Sequence, residues 1–127
     1  MATLVNEGLV ERAKLTCGAT ASPFIQYALL GVGLPAEAAT VGYSDISAVI
    51  LAGSGSDRVT ATTHAYEANY KAKWVHTFTF TGTKTIYGIA ILNVDNDVLM
   101  YHALPVQIEV HDGETAQITV TETEGRA

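Results

Sequence analysis

From Lys84 to Thr123 the chain is a succession of short apolar runs broken by tight turns, and this stretch limits most what it can fold into. Thr85–Asn93 leads through Val94-Asp-Asn-Asp97 to Val98–His102 and Pro105–Val110. The turn His111-Asp-Gly-Glu114 and the run Thr115–Thr123 follow. Asp112-Gly113 suits a hairpin, because such turns need residues that tolerate positive φ. Runs this short are stable only when packed against other strands, which predicts an antiparallel sandwich. Ile86–Leu92 is apolar on both faces and reads as a central strand. Gly88 inside it predicts a bulge or the close approach of a neighbour. Pro105 lacks the N–H that a ladder needs and predicts an edge or a kink.

Upstream, Lys71–Thr81 alternates clearly. Ala72, Trp74, His76, Phe78 and Phe80 share one side, with Lys73, Val75, Thr77, Thr79 and Thr81 on the other. One buried and one wet face is antiparallel behaviour. Arg58–Tyr66 alternates as well, with Val59, Ala61, Thr63 and Ala65 together. Phe24–Leu30 reads as a strand ending in the bend Gly31-Val-Gly33. Asn6 is placed to cap a helix that carries Glu7 and Glu11 early and closes at Gly18. Its inner face is expected to be Leu9, Val10, Ala13 and Cys17. Asp45 caps a second short helix, Ile46–Ala52, with Ile46, Val49 and Ile50 inward, before a flexible Gly53–Asp57 loop. The expectation is a mainly β protein: an antiparallel β-sandwich of about six to seven strands with one or two short N-terminal helices. It is read as a single domain over 1–127, with a helix- and loop-rich part, 1–57, packed on a sandwich formed by 58–127.

Composition narrows the function classes. Hydrophobic residues make up 48% and charged residues only 16% of the 127 residues, so apolar area is expected to remain for another chain. A net charge of -6 with sparse basic residues argues against nucleic acid, which requires a basic stripe to displace counterions. Lys71, Lys73 and Lys84 are the nearest thing to a basic cluster. Acids gather instead from Asp95 onward. The single cysteine, Cys17, excludes an internal disulfide framework and is read as a small buried residue. Met1–Glu7 lacks the basic start and long apolar run of a signal peptide, and no stretch is long enough to cross a membrane as a helix. The reading is a chain made in the cytoplasm, with no membrane partner.

No set of residues announces chemistry. His64, His76, His102 and His111 fall on different predicted strands without ligand spacing, and His76 reads as half-buried and hydrogen-bonded. Asp95-Asn-Asp97 opens like a calcium loop, but its sixth and twelfth positions are Met100 and Val106, so it reads as a polar hairpin tip. Glu109 and Glu114 flank a turn with no aromatic platform for sugar hydrolysis. Gly31-Val-Gly33 lacks the third glycine or Lys-Ser/Thr pair of a phosphate loop. No catalytic residue, cofactor or metal is expected. Tyr43, Tyr66, Tyr70, Tyr87 and Tyr101, with Trp74, are read as core or subunit interface, the sharper alternative being a glycan or peptide site.

Several pieces together resemble a known group. They are Tyr27–Gly33, Trp74–Phe80, Ile86–Asn93, Val98–Val106 and Asp112–Val120, following an N-terminal helix. The chain resembles small β-sandwich virion structural proteins of tailed bacteriophages, of decoration, neck or tail type. It departs from that pattern at Tyr87, where an acidic residue often precedes the strand glycine. The resemblance implies a homo-oligomeric virion component, made in the host cytoplasm, whose partners are the major capsid protein or other virion proteins. Within that group the compact chain favours a head decoration (cement) protein that stabilises the capsid by burying area between subunits. The alternative is a tail, neck or fibre-associated protein that binds a receptor or glycan, which requires at least two of Tyr43, Tyr66, Tyr70 and Tyr101 to line one open groove. The expected interface is the arm Ala2, Thr3, Leu4, Val5 and Asn6 with connector residues Leu34, Pro35 and Tyr43, which show no obvious core role in the sequence.

Overall fold

The computed structural model describes residues 3–51 and 58–123. Ala2, the expected end of the second helix and the Gly53–Asp57 loop lie outside the described residues. Two antiparallel sheets face each other, which is the sandwich expected from the sequence. The elements run β1 (Thr3–Leu4), α1 (Asn6–Cys17), β2 (Gln26–Leu30), α2 (Tyr43–Ile46) with a 3-10 turn Ser47–Val49, β3 (Val59–Thr60) and β4 (Thr63–Glu67). β5 (Lys71–Thr79), β6 (Lys84–Leu92), β7 (Val98–Val110) and β8 (Thr115–Thr123) complete the order. The larger sheet is β1-β7-β6-β2-β3 and the smaller is β4-β5-β8.

Side-chain alternation divides the interior into two layers. Tyr27, Leu29, Ile91 and Leu99 of the larger sheet meet Trp74, Phe78 and Phe80 of the smaller one. Tyr27 sits edge-on to Phe78 with ring centres 5.9 Å apart. Its hydroxyl crosses the gap to the carbonyl oxygens of Trp74 at 2.9 Å and Ile118 at 3.2 Å. Ala28, Leu30, Ala90, Leu92 and Tyr101 point the other way and pack with Val5, Val41 and Ile46. Both faces of β2 and β6 are therefore covered, which is why Ile86–Leu92 shows no alternation. The N-terminal part does more than lie against a finished sandwich, since β2 pairs with β6 from Gln26↔Leu92 to Leu30↔Gly88.

Two glycines mark close backbone approaches. A Cβ on Gly88 would come within 2.6 Å of Leu34 Cδ1 and 2.9 Å of the His102 carbonyl oxygen. The ladder between β6 and β7 also shifts register between Ile86 and Gly88, so the expected bulge and close approach coincide. Pro105 lies in the excess length of β7 opposite this point, and Val98–Val110 is one continuous strand rather than two. Gly8, buried in α1, rests directly on the backbone of β7 at Val98 and Leu99.

That contact corrects the expected helix face. Leu9, Val10, Ala13 and Cys17 are exposed, whereas Val5 and Gly8 are buried and Leu15 is half-buried. Cys17 is therefore not a core residue. The N-cap is Val5, not Asn6, and no side chain caps the helix; burial of Val5 fixes the start instead. Gly18 closes the helix in the left-handed region at φ 79. Asp45 is not the cap of the second helix: α2 starts earlier, at Tyr43 with Gly42 as N-cap, and Asp45 lies in its first turn. The Asp45 side chain reaches back to accept the Gly42 N–H at 2.8 Å, and the helix ends sooner than expected, at Ile46. Val49 closes the 3-10 turn and β-branched Ile50 becomes extended and bridges to β2: Gly31 N–H bonds Val49 O at 2.7 Å and Leu51 N–H bonds Leu29 O at 2.9 Å. The run Arg58–Tyr66 is likewise two strands in different sheets, and the chain crosses over at buried Ala61.

Candidate functional site

An open apolar groove of about 490 Å³ lies between the β4–β5 hairpin and the Pro23–Ile25 segment entering β2. Its floor is Trp74 and Phe24, both nearly buried. One wall carries Tyr66 and Tyr70, which are 76% and 61% exposed although both line the groove. Lys71 and Lys73 stand at its rim. Lys73 makes a loose pair with Glu67 at 3.8 Å, both partly exposed. The Trp74 indole N–H is already spent on the Phe24 carbonyl at 2.6 Å. That bond ties the two walls together.

The groove exists because β4 extends past the core. All five of its residues are exposed, and among the described residues its only neighbour in the sheet is β5. The hairpin tip holds Asn69 and Tyr70 both at φ 66. Asparagine tolerates that region; tyrosine does so only under strain, which the fold must offset elsewhere. The strained turn sets the Tyr70 ring against the groove.

Of the aromatic set singled out in the sequence, the structure brings together Tyr66, Tyr70 and Trp74 and disperses the others. Tyr101 is buried and donates to the Pro35 carbonyl at 2.6 Å. Tyr43 lies under the Arg58 guanidinium, 5.7 Å from ring centre to carbon. Pro23, Phe24 and Ile25 form the opposite wall and were not flagged; the apolar pair Pro23-Phe24 before a strand was the available signal.

Among the described residues, Thr3–Asn6 of the expected arm and the connector residues Leu34 and Pro35 are fastened into the fold. Thr3 and Leu4 pair with Tyr101 and Met100, and Val5 is completely buried. Asn6 is exposed, but its N–H bonds Ala39 O at 2.8 Å. Leu34 packs over Gly88, and Pro35 receives Tyr101. The premise that these residues lack a core role does not hold. Part-buried carboxylate bonds reinforce the same layer. Glu7 accepts the N–H groups of Val98 at 2.8 Å and Tyr43 at 3.0 Å. Glu37 takes Thr3 Oγ1 at 2.7 Å, Ala103 N–H at 2.8 Å and His102 Nδ1 at 2.9 Å. Burial pushes the Glu37 carboxyl up, but those three bonds outweigh it and hold its pKa below the ordinary carboxylate value.

The other candidates have structural roles. His76 is half-buried against Phe78 and accepts the Thr62 N–H at 3.1 Å, with its pKa lowered by burial. The tip Asp95-Asn-Asp97 is organised by buried Asn93, whose Oδ1 accepts from Asp95 N at 3.1 Å and Asp97 N at 2.9 Å. Arg58 secures it, bonding Gln26 Oε1 at 2.6 Å, Asn96 Oδ1 and the Asn93 carbonyl. Glu109 lies 3.3 Å from the exposed His111 ring, while Glu114 serves the hairpin backbone. Among the described residues no three His, Cys, Asp or Glu side chains gather to hold a metal, and no helix is long and apolar enough to cross a membrane.

No protein-family model matches the chain, and neither a curated protein nor a solved structure does.

Proposed function

We propose that the protein is a non-catalytic docking module that captures an extended apolar segment of a protein partner in the groove beside β4. The observation that carries this reading is Tyr66 and Tyr70, two large exposed rings over a Trp74–Phe24 floor. An apolar trough of this size matches binding sites in general, which fall at about 300–1,000 Å³. It suits a peptide better than a glycan. Sugars need several directed hydrogen bonds, whereas the lining is chiefly alkyl and aromatic, its lysines stand at the rim, and the indole N–H is occupied. An exposed strand beside apolar pockets is the arrangement used for β-strand addition.

The virion setting is the finer part of this proposal and rests on sequence resemblance alone. In a head decoration protein the groove would grip a capsid or sister subunit; in a tail, neck or fibre protein it would grip a receptor. The requirement set for receptor recognition, two of the four tyrosines on one open groove, is met. The docking surface is accordingly assigned to the groove and not to the arm.

Trp74 is the sole tryptophan, so its fluorescence reports directly on the site. Extended peptides with apolar residues at alternate positions are expected to shift its emission saturably, and Tyr66→Asp is expected to abolish the shift. Saturation by oligosaccharides, with no response to such peptides, refutes the reading.

A further inference from the structure

The edge of β7 carries a surface complementary to the groove. Beyond Tyr101, where β1 ends its pairing, no strand covers the outer side of β7 among the described residues. Residues 105–109 are all exposed, with Val106 at 72% and Ile108 at 49%. Glu109 follows directly, its side chain more than half exposed. Val106 and Ile108 are spaced as alternate residues of a strand project, and an acid stands beside them. The groove offers the converse: an apolar trough next to β4, whose edge away from β5 is uncovered among the described residues, with Lys71 and Lys73 at its rim in a chain of net charge -6.

We propose that the occupant of the groove is the Val106–Glu109 edge of a second copy of this chain. β7 adds to β4 as a further strand, Val106 and Ile108 enter the apolar trough, and Glu109 meets the lysine rim. This rests on the docking reading and names its partner. Because the two surfaces differ, the contact is heterologous: every copy presents both this groove and this edge, and copies join head to tail into a ring or filament. Neither edge has the guards that usually prevent such pairing. β4 has no proline and one acid, and the long free run of β7 has its proline only at the start. A single strand-edge contact is small, so the free protein associates weakly and the assembly gains its strength from repetition.

The test uses variants of exposed positions, which leave the core untouched. Sedimentation of the full chain up to about 1 mM, where small contacts saturate, is expected to show concentration-dependent growth. Tyr66→Asp spoils the groove and Val106→Asp the edge, so each alone stays monomeric. Mixed, they form a 1:1 pair and stop, because only one good groove and one good edge remain. Glu109→Lys weakens association about fivefold, as expected of an exposed ion pair, and Lys73→Glu on the other member restores it. A peptide of residues 104–110 shifts Trp74 emission. The proposal is overturned by a wild type that is monomeric throughout, by variants that still self-associate, or by a mixture that fails to pair. If the monomeric wild type still answers foreign apolar peptides through Trp74, this inference falls while the docking reading stands. If Trp74 answers no peptide, both fall.

Discussion

Gly8→Ala turns a substitution that normally helps a helix into one that loosens the fold. In an exposed helix interior it gains about 1 kcal/mol from propensity. Here the added Cβ would meet the Leu99 Cα and lie 2.6 Å from the Val98 carbonyl oxygen and 2.8 Å from that of Leu99. All three are backbone atoms and cannot rotate away, so α1 must lift from β7 by about 1 Å to reach ordinary contact. That movement stretches the Glu7 bonds to Val98 N and Tyr43 N, now 2.8 and 3.0 Å. Overpacking costs about 1–3 kcal/mol and weakened charge-assisted bonds about 1.5–3 kcal/mol. Set against the propensity gain, the net loss is about 1.5–5 kcal/mol. For a domain of this size that lowers Tm by roughly 6–20 °C. Thermal and urea unfolding followed by circular dichroism measure it, with exposed Thr16→Ala as a control expected to stay within about 0.5 kcal/mol. A Gly8→Ala protein as stable as the wild type, or more so, would refute the seating of α1 on β7.

Glu37→Gln is expected to cost about 1–2 kcal/mol at pH 7. The folded carboxyl titrates below its ordinary value of 4.5, so its contribution is present above that pH and is lost as pH falls through the lower folded value. Acid unfolding curves of the two proteins therefore converge once the pH has fallen through the lowered folded value of Glu37, and a gap that persists in strong acid contradicts the assignment. Tyr27→Phe removes the hydroxyl that reaches Trp74 O and Ile118 O, and should cost about 1–1.5 kcal/mol in denaturant unfolding; a neutral effect would remove this link between the sheets. Tyr70→Gly relieves the positive-φ strain and is expected to raise stability by up to about 1 kcal/mol while weakening peptide binding at Trp74 several-fold. A variant both less stable and equally good at binding would show the strain to be unconnected with the groove.

How far these features were readable depends on what a side-chain pattern can record. Trp74, Phe78 and Phe80 announced their common face, and Ile86–Leu92 its double burial, because hydrophobicity at period two or none reports burial directly. The seat of α1 escaped the same reasoning. Its buried contact is Gly8, which carries no hydrophobic signal, while the conspicuous Leu9 and Val10 face outward. Arg58–Tyr66 looked like one strand since its alternation continues through Ala61, where the chain changes sheets. The aromatic members of the groove were visible as a group. Their convergence was not, because it depends on β4 overhanging the core and on Asn69 and Tyr70 both taking positive φ. The internal roles of Val5 and Leu34 were not readable because both fill a second layer whose existence only the topology shows.

The pairing of β1 with β7, and of β2 with β6, joins the opening of the chain to segments near its close. Such long-range contacts are slow to form, since much of the loop-closure entropy is lost before they reward it. On a ribosome, Val5, Tyr27 and Leu30 must therefore wait, uncovered, until β6 and β7 have emerged. During synthesis the nascent chain shows apolar strands to any neighbour being made alongside it, and sister chains on one messenger can meet before either has closed.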